Sequence, residues 1–308
     1  MTRRPFFVHL LLILFLTQCT KLHPTIPTDT PAHIKTLDNV DVALVLGGGG
    51  SKGIAHIGAI AVLEENHIPI DLIVGSSAGS EVGALYADSR DITKVKSLLF
   101  KAKREELLDF SILDALTMFH NLTAPVRGQA YESFISKNLS AKTFSSLKIP
   151  LVVVTVDSQT GQKFIINNGL IAPAIRASSA IPPIIAPVSL HGRILFDGGI
   201  LEPVPVATAK KYHPKLTIAI DISNHPPKTK PANVLELTYR AVWLSYYQLS
   251  RMQAGLADID IHPDLSGHGT FEDDKKDELY QLGRKAALEA LPQLMYKLKT
   301  LGIKLREH

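Results

Sequence analysis

The apolar run Ile68-Pro69-Ile70-Asp71-Leu72-Ile73-Val74 passes directly into Gly75-Ser76-Ser77-Ala78-Gly79, and a helical pattern from Glu81 to Asp88 follows. A strand, a Gly-x-Ser-x-Gly turn and a helix in that order leave the backbone few choices. The two glycines allow a sharp turn that lifts one serine hydroxyl above the edge of a sheet. The helix behind it aims its N-terminal dipole and free N–H groups at whatever that serine meets. The frame makes Ser77 the candidate nucleophile.

The same strand-then-helix order runs along the chain. Residues 40–46 read as a short buried strand ending in Gly47-Gly48-Gly49-Gly50. Residues 53–66 put Ile54, Ile57, Ala61 and Val62 on one helical stripe, and helical patterns continue to about residue 108 and from Gly128 to Leu139. The β-branched run 151–156 is expected to fold back through Ser158-Gln159-Thr160-Gly161 onto 163–166 as a hairpin. Strands are expected at 193–196, 216–220 and 259–261, with a short helix over 204–212. A long helix over 233–254 carries Leu237, Ala241, Leu244 and Tyr247 at helical spacing, which predicts packing on the sheet; a last helix, 274–299, is interrupted or bent near Pro292. This pattern implies an α/β, three-layer sandwich with a largely parallel central sheet, whose ligands gather at the C-terminal strand ends. No repeat or strong linker divides residues 40–308, which read as one domain.

The chain has 308 residues and a net charge of +4, to which Arg3 and Arg4 contribute, and no Lys/Arg block, so a nucleic-acid partner is not indicated. Residues 1–19 read as a secretory signal: Arg3-Arg4, an apolar stretch from Phe6 to Leu16 that is short of the ~20 residues of a membrane span, then Leu16-Thr17-Gln18-Cys19. Cys19, the only cysteine, is the candidate lipidation site of a lipobox, although Gln18 departs from the small residue usual before it. The alternative is an ordinary cleaved signal. Residues 20–39, with Pro24, Pro27 and Pro31, read as a flexible tether. The expectation is an exported, membrane-anchored lipoprotein of a bacterial cell envelope. No metal-site spacing or cofactor requirement is evident.

The loop Gly47-Gly48-Gly49-Gly50-Ser51-Lys52-Gly53 admits three readings. A Rossmann fingerprint wants an acidic residue at the end of the second strand, where this chain has the serine turn. A P-loop fails in letter order. An oxyanion hole fits, because consecutive glycines at a helix start bare their N–H groups. A base for Ser77 is less legible. His56 lies inside the helix after the loop and reads as packed or capping, and the other histidines lack a suitable strand-end context. Asp157, Asp197 and Asp221 each follow an apolar strand and would face the same edge; Gly198-Gly199 would turn Asp197 over the crevice, whereas Asp157 reads as a turn former.

Four segments taken together resemble the patatin-like phospholipase family, in that family's order: Val45-Leu46-Gly47-Gly48-Gly49-Gly50-Ser51-Lys52-Gly53-Ile54-Ala55-His56-Ile57-Gly58, Gly75-Ser76-Ser77-Ala78-Gly79, Ala174-Ile175-Arg176-Ala177-Ser178-Ser179-Ala180-Ile181-Pro182 and Asp197-Gly198-Gly199. The tail Ala257-Asp258-Ile259-Asp260-Ile261-His262-Pro263-Asp264-Leu265 is similar to its bacterial members. The resemblance implies hydrolysis of fatty-acyl esters in membrane lipids by a Ser-Asp dyad without histidine. Ser77 would be the nucleophile, Asp197 the base, and Gly48, Gly49 and Gly50 the oxyanion donors, supported by Lys52, Gly53 and Arg176. Lys52 stands where the family usually has arginine, and Glu202 where asparagine is common; a carboxylate there is expected to raise the dyad's apparent pKa. Arg176 either meets a phosphate headgroup or anchors the loop 177–183, and Ile181, Ile184 and Ile185 either wall an acyl channel or belong to the core. Trp243 is expected to be partly buried packing. The same dyad also suits an acyltransferase or thioesterase, and the fold alone a silent lipid-binding lipoprotein.

Overall fold

A computed structural model describes residues 37, 39–226, 229–270 and 274–307; the expected signal, Cys19 and most of the tether lie outside the described residues. The strands are Val42–Leu46 (β1), Leu72–Ser76 (β2), Leu151–Asp157 (β3), Lys163–Ile166 (β4), Val188–Leu190 (β5), Arg193–Asp197 (β6), Leu216–Ile220 (β7) and Ile259–Ile261 (β8). The helices are Ile54–Glu65 (α1), Ala78–Ser89 (α2), Ile92–Lys101 (α3), Arg104–Leu107 (α4), Ile112–Thr117 (α5), Gln129–Asn138 (α6), Ile171–Ser178 (α7), Val206–Lys210 (α8), Val234–Ala254 (α9) and Lys276–Thr300 (α10).

All eight strands form one sheet, in the order β5-β6-β3-β2-β1-β7-β8 with β4 also on β3. The strands β3, β2, β1, β7 and β8 run parallel to their neighbours, and β4, β5 and β6 join antiparallel. The parallel core is buried at every position of β1, β2, β3 and β7, as runs of Val, Ile and Leu covered on both faces demand. Alternate residues divide between the layers. Val42, Leu44 and Leu46 pack with α1, α2, α3, α7 and α10, while Ala43 and Val45 pack with Val204, Val206, Ala209 and Ala254 of the other face.

The edge at β3 decides where the functional groups meet. Val154 pairs with Ser76 of β2 and Ile165 of β4, and Val156 with Phe196 of β6 and Lys163 of β4. Strands β2 and β6 therefore share one edge of β3, end to end, with β6 running the opposite way. Ser76 faces Val154 and Asp197 faces Thr155, one register step on. Asp197 thus reaches Ser77 because an antiparallel strand stops head-on against β2. The expected route, parallel strand ends sharing one edge, is not the one the chain takes.

Three other expectations are revised. The helix α1 is buried all along Ile54 to Leu63, so its apolar stripe is one part of a fully enclosed helix. The helix α10 continues through Pro292. The stripe Leu237, Ala241 and Leu244 on α9 is exposed; the same helix instead turns Trp243, Tyr246, Ser250 and Ala254 inward, a face set by where α9 crosses the glycine loop.

Candidate active site

The turn after β2 is the tightest part of the chain. A Cβ on Gly75 would lie 2.6 Å from Ser80 Cα, and one on Gly79 2.0 Å from the Leu46 carbonyl oxygen, so neither position admits a side chain. Between them Ser77 takes φ 52 and ψ −125, a left-handed conformation that costs a non-glycine residue about 1–3 kcal/mol. Surrounding hydrogen bonds hold it there. The Ser77 N–H donates to Ser178 Oγ at 2.9 Å, and that hydroxyl donates to Val154 O at 2.7 Å. Ser77 O accepts from Ser80 Oγ at 2.6 Å and from Ser80 N at 2.8 Å.

Asp197 is 4% exposed. Its Oδ1 accepts from Gly199 N at 2.7 Å, the tight turn expected from Gly198-Gly199, while Oδ2 is buried with no hydrogen-bond partner among the described residues. Burial pushes the carboxyl up to about 6, and the nearby Ser77 hydroxyl and the Gly199 N–H pull it back toward the charged form. The two side chains face one another without closing a full hydrogen bond, as is common before a substrate is bound. Glu202 plays no part in that shift. It is buried, accepts from Thr208 N at 2.9 Å and from Thr208 Oγ1, and pairs with Lys163 at 2.8 Å, so its charge is spent away from Asp197. Asp157 is bound by Arg193 and the turn N–H of Gln159, and Asp221 by Arg251 and Ser223 N.

In the glycine loop the three expected donors are not equivalent. Gly48 N–H is committed to Pro203 O at 2.9 Å, whereas those of Gly49 and Gly50 make no hydrogen bond among the described residues. Gly50 has φ 61, and a Cβ there would lie 2.3 Å from Thr270 O. The first N–H groups of α2, from Ala78 and Gly79, are likewise unbonded among the described residues, the free helix-start donors expected behind the serine turn. The loop is braced from behind. His56 Nε2 lies 2.7 Å from Gly47 O, an atom that can only accept, so Nε2 carries the proton; burial holds the imidazole down at about 4 and hence neutral. Lys52 is buried, donates to Asn224 Oδ1 and lies 5.7 Å over the Trp243 ring, its pKa lowered by burial to about 8 despite Asp221. Trp243 donates to Asn224 O at 3.0 Å, in keeping with a packing role. Tyr246 from α9 is a further neighbour that sequence reasoning missed. Its hydroxyl lies 2.6 Å from where a Cβ on Gly48 would sit, and burial and the Asp197 charge hold its pKa well above the usual phenol value.

Ser77 opens onto a cavity of about 190 Å³, which Gly50 and Gly53 also line. Val82, Leu99, Leu107, Leu108, Val126 and Ile185 make most of its wall. Ile181 joins them, but Ile184 does not and is 37% exposed. Arg176 also touches the cavity, yet its guanidinium donates to Glu132 at 3.0 Å and to Arg127 O at 3.0 Å. It anchors residues 127–132, not the loop 177–183. Among the described residues no cluster of His, Cys, Asp and Glu has the arrangement of a metal site.

The fold and the strained serine turn define a three-layer α/β protein with an elbow at the carboxyl end of a parallel strand. Comparison with known proteins narrows the class. The family model described as patatin-like phospholipase matches residues 44–210. An uncharacterized NTE family protein of Mycobacterium bovis is 32% identical over 76% of this chain and 62% of its own length. Lysophospholipase NTE1 of Scheffersomyces stipitis is 28% identical over 81% of this chain, which spans only 18% of that longer protein. Among solved structures, VipD from Legionella pneumophila aligns over 92% of this chain and 72% of its own with a TM-score of 0.54 at 14% identity, a likeness of fold. The chain belongs to the patatin-like phospholipase family.

Proposed function

We propose that this chain is a serine-dependent lipid acyl hydrolase, of the phospholipase, lysophospholipase or esterase type, in which Ser77 and Asp197 form a dyad. One observation carries the reading: the Ser77 hydroxyl, on its strained elbow at an apolar cavity, faces a buried carboxylate oxygen that has no other partner among the described residues. Asp197 accepts the Ser77 proton as Oγ attacks the acyl carbonyl. The N–H groups of Gly49 and Gly50 hold the oxyanion, a contribution of about 3–4 kcal/mol per donor in comparable sites. The Asp197 carboxyl then protonates the departing alcohol, leaving an acyl ester on Ser77, and a water deprotonated by Asp197 releases the fatty acid. A carboxylate near 6 is a workable base at neutral pH, where an ordinary aspartate is too weak.

A membrane-lipid substrate is supported by the segment that runs between two parts of the cavity wall, Leu107–Leu108 and Val126. Phe110, Ile112, Leu113, Leu116, Phe119 and Leu122 are 64–86% exposed, a concentration of apolar surface unusual on a chain that meets only water. The same proposal makes the protein an exported lipoprotein: residues 1–19 hold the signal and its lipobox, cleavage after Gln18 leaves the lipidated Cys19 as the new N-terminus, and 20–39 form the tether. Fluorophosphonate labelling, with hydrolysis of p-nitrophenyl esters, tests the dyad. Full activity in Ser77→Ala or in Asp197→Asn removes that residue from its role. The mass of the purified envelope protein, with and without Cys19→Ser, tests the anchor.

A further inference from the structure

The cavity beside Ser77 is apolar on most sides but not all. One wall carries Glu81, Tyr131 and Ser179, none of which has a part in the steps above. Glu81 lies one helical turn beyond the nucleophile, and its N–H approaches Ser77 O at 3.3 Å. Tyr131 comes from α6, and Ser179 caps the end of α7. The Tyr131 hydroxyl is directed at the Glu81 carboxyl and faces the Ser179 hydroxyl. These groups interact without closing into full hydrogen bonds, and Ser179 Oγ is buried with no partner among the described residues. Burial and the Tyr131 hydroxyl are what act on Glu81; no Lys or Arg among the described residues is paired with it. The cluster therefore holds donor and acceptor capacity in reserve, facing the space that an acyl chain leaving Ser77 would enter.

A plain hydrocarbon chain laid over these groups would strip them of water and return nothing. A hydroxyl would return both halves, donating to Glu81 and accepting from Tyr131 or Ser179. One helical turn is about 5.4 Å, which limits the reach to the first few carbons after the carbonyl. On the acyl hydrolase reading above, we propose that this cluster selects acyl chains carrying a hydroxyl group a few carbons from the scissile carbonyl over plain saturated ones. Sites built to hydrogen-bond a substrate group reject the analogue lacking it far more strongly than apolar pockets reject a change of one methylene.

The experiment compares kcat/KM for p-nitrophenyl 3-hydroxyoctanoate and p-nitrophenyl octanoate. The unaltered chain is expected to favour the hydroxylated ester by about tenfold or more. In Glu81→Leu the preference should vanish or invert; Tyr131→Phe, which keeps the ring, should reduce it and serves if the first variant folds poorly. Calorimetric binding of 3-hydroxyoctanoate and octanoate to Ser77→Ala asks the same of the cavity without turnover. Equal kcat/KM for the two esters, or a ratio unmoved by both substitutions, would overturn the inference while leaving the hydrolase reading intact. Absence of both ester hydrolysis and Ser77 labelling would overturn the hydrolase reading instead, and equal binding of the two acids would then dispose of the cluster's selectivity as well.

Discussion

The sheet edge that presents Ser77 and the segment 103–128 that roofs the cavity are built on opposite principles. At the sheet edge nearly every group is spoken for. The strands β1, β2 and β3 are buried throughout, the Ser77 amide and carbonyl are bonded to Ser178 and Ser80, and Asp197 is fixed through Gly199. In the roof, α5 buries no side chain. Its neighbours are held by isolated bridges, Phe110 to Val126 and Val126 to Ile185, by Asp109 on the N–H groups of Gly128 and Gln129, and by the Asp114–Arg127 pair. The contrast separates two tasks. Attack on a carbonyl needs atoms held to a fraction of an ångström, which over-determined packing supplies; admitting a lipid needs apolar surface that water leaves unsatisfied.

The sharpest way to break the comparison is to remove the chemistry while leaving the roof intact. Ser77→Ala should lower turnover of every ester by about three orders of magnitude or more, and Asp197→Asn nearly as much, on soluble and vesicle substrates alike. Preserved turnover on either substrate would detach the rigid edge from catalysis. Next in size is the response to pH. As the proposed base, Asp197 would have to be ionised, and with burial raising its pKa to about 6, kcat/KM on a soluble ester should be flat above about pH 7 and fall roughly tenfold per unit below 6. An inflection near 4 would mean that the carboxyl is not desolvated.

The same group bears on stability with the opposite sign from a salt-bridged aspartate. Its folded pKa is raised above the unfolded value of about 3.9, so the fold is helped by protonation and loses stability as pH rises from about 4 to 6. Asp197→Asn keeps the acceptor for Gly199 and abolishes that loss. It should therefore raise the unfolding free energy at pH 7–8 by about 2–3 kcal/mol, a gain that disappears near pH 4. Chemical denaturation at the two pH values measures it. The smallest effect belongs to the roof. Leu116→Ser with Phe119→Ser should cut turnover of phospholipid vesicles by about tenfold, with the soluble ester changed less than about twofold. Equal loss on both would merge the two regions into one machine.

What could be read in the sequence follows the same division. The elbow, the hairpin of β3 and β4 and strand β7 lie in short contiguous patterns, and a local pattern carries local structure. Sheet register is not local. That β6 runs backwards into the end of β2 depends on the pairing of Thr155 with Asp197, residues far apart in the chain, so the aspartate that lies beside Ser77 was expected from a different geometry. The same blindness covers Glu202, whose partners Lys163 and Thr208 no spacing rule connects to it, and Gly48, whose amide is taken by the Pro203 carbonyl. On α9 the period was right but the phase was not, because Leu237 and Leu244 are as apolar as any core residue and only the crossing with the glycine loop selects Trp243 and Tyr246.

Helix α7 carries two attachments side by side. Through Arg176 it grips the backbone of Arg127 and the carboxylate of Glu132, and through Ser178 it grips the amide of Ser77. One short helix therefore braces both regions at once, and the two anchoring residues stand only two positions apart, so residues 127–132 and the serine turn are fixed to the same rigid body.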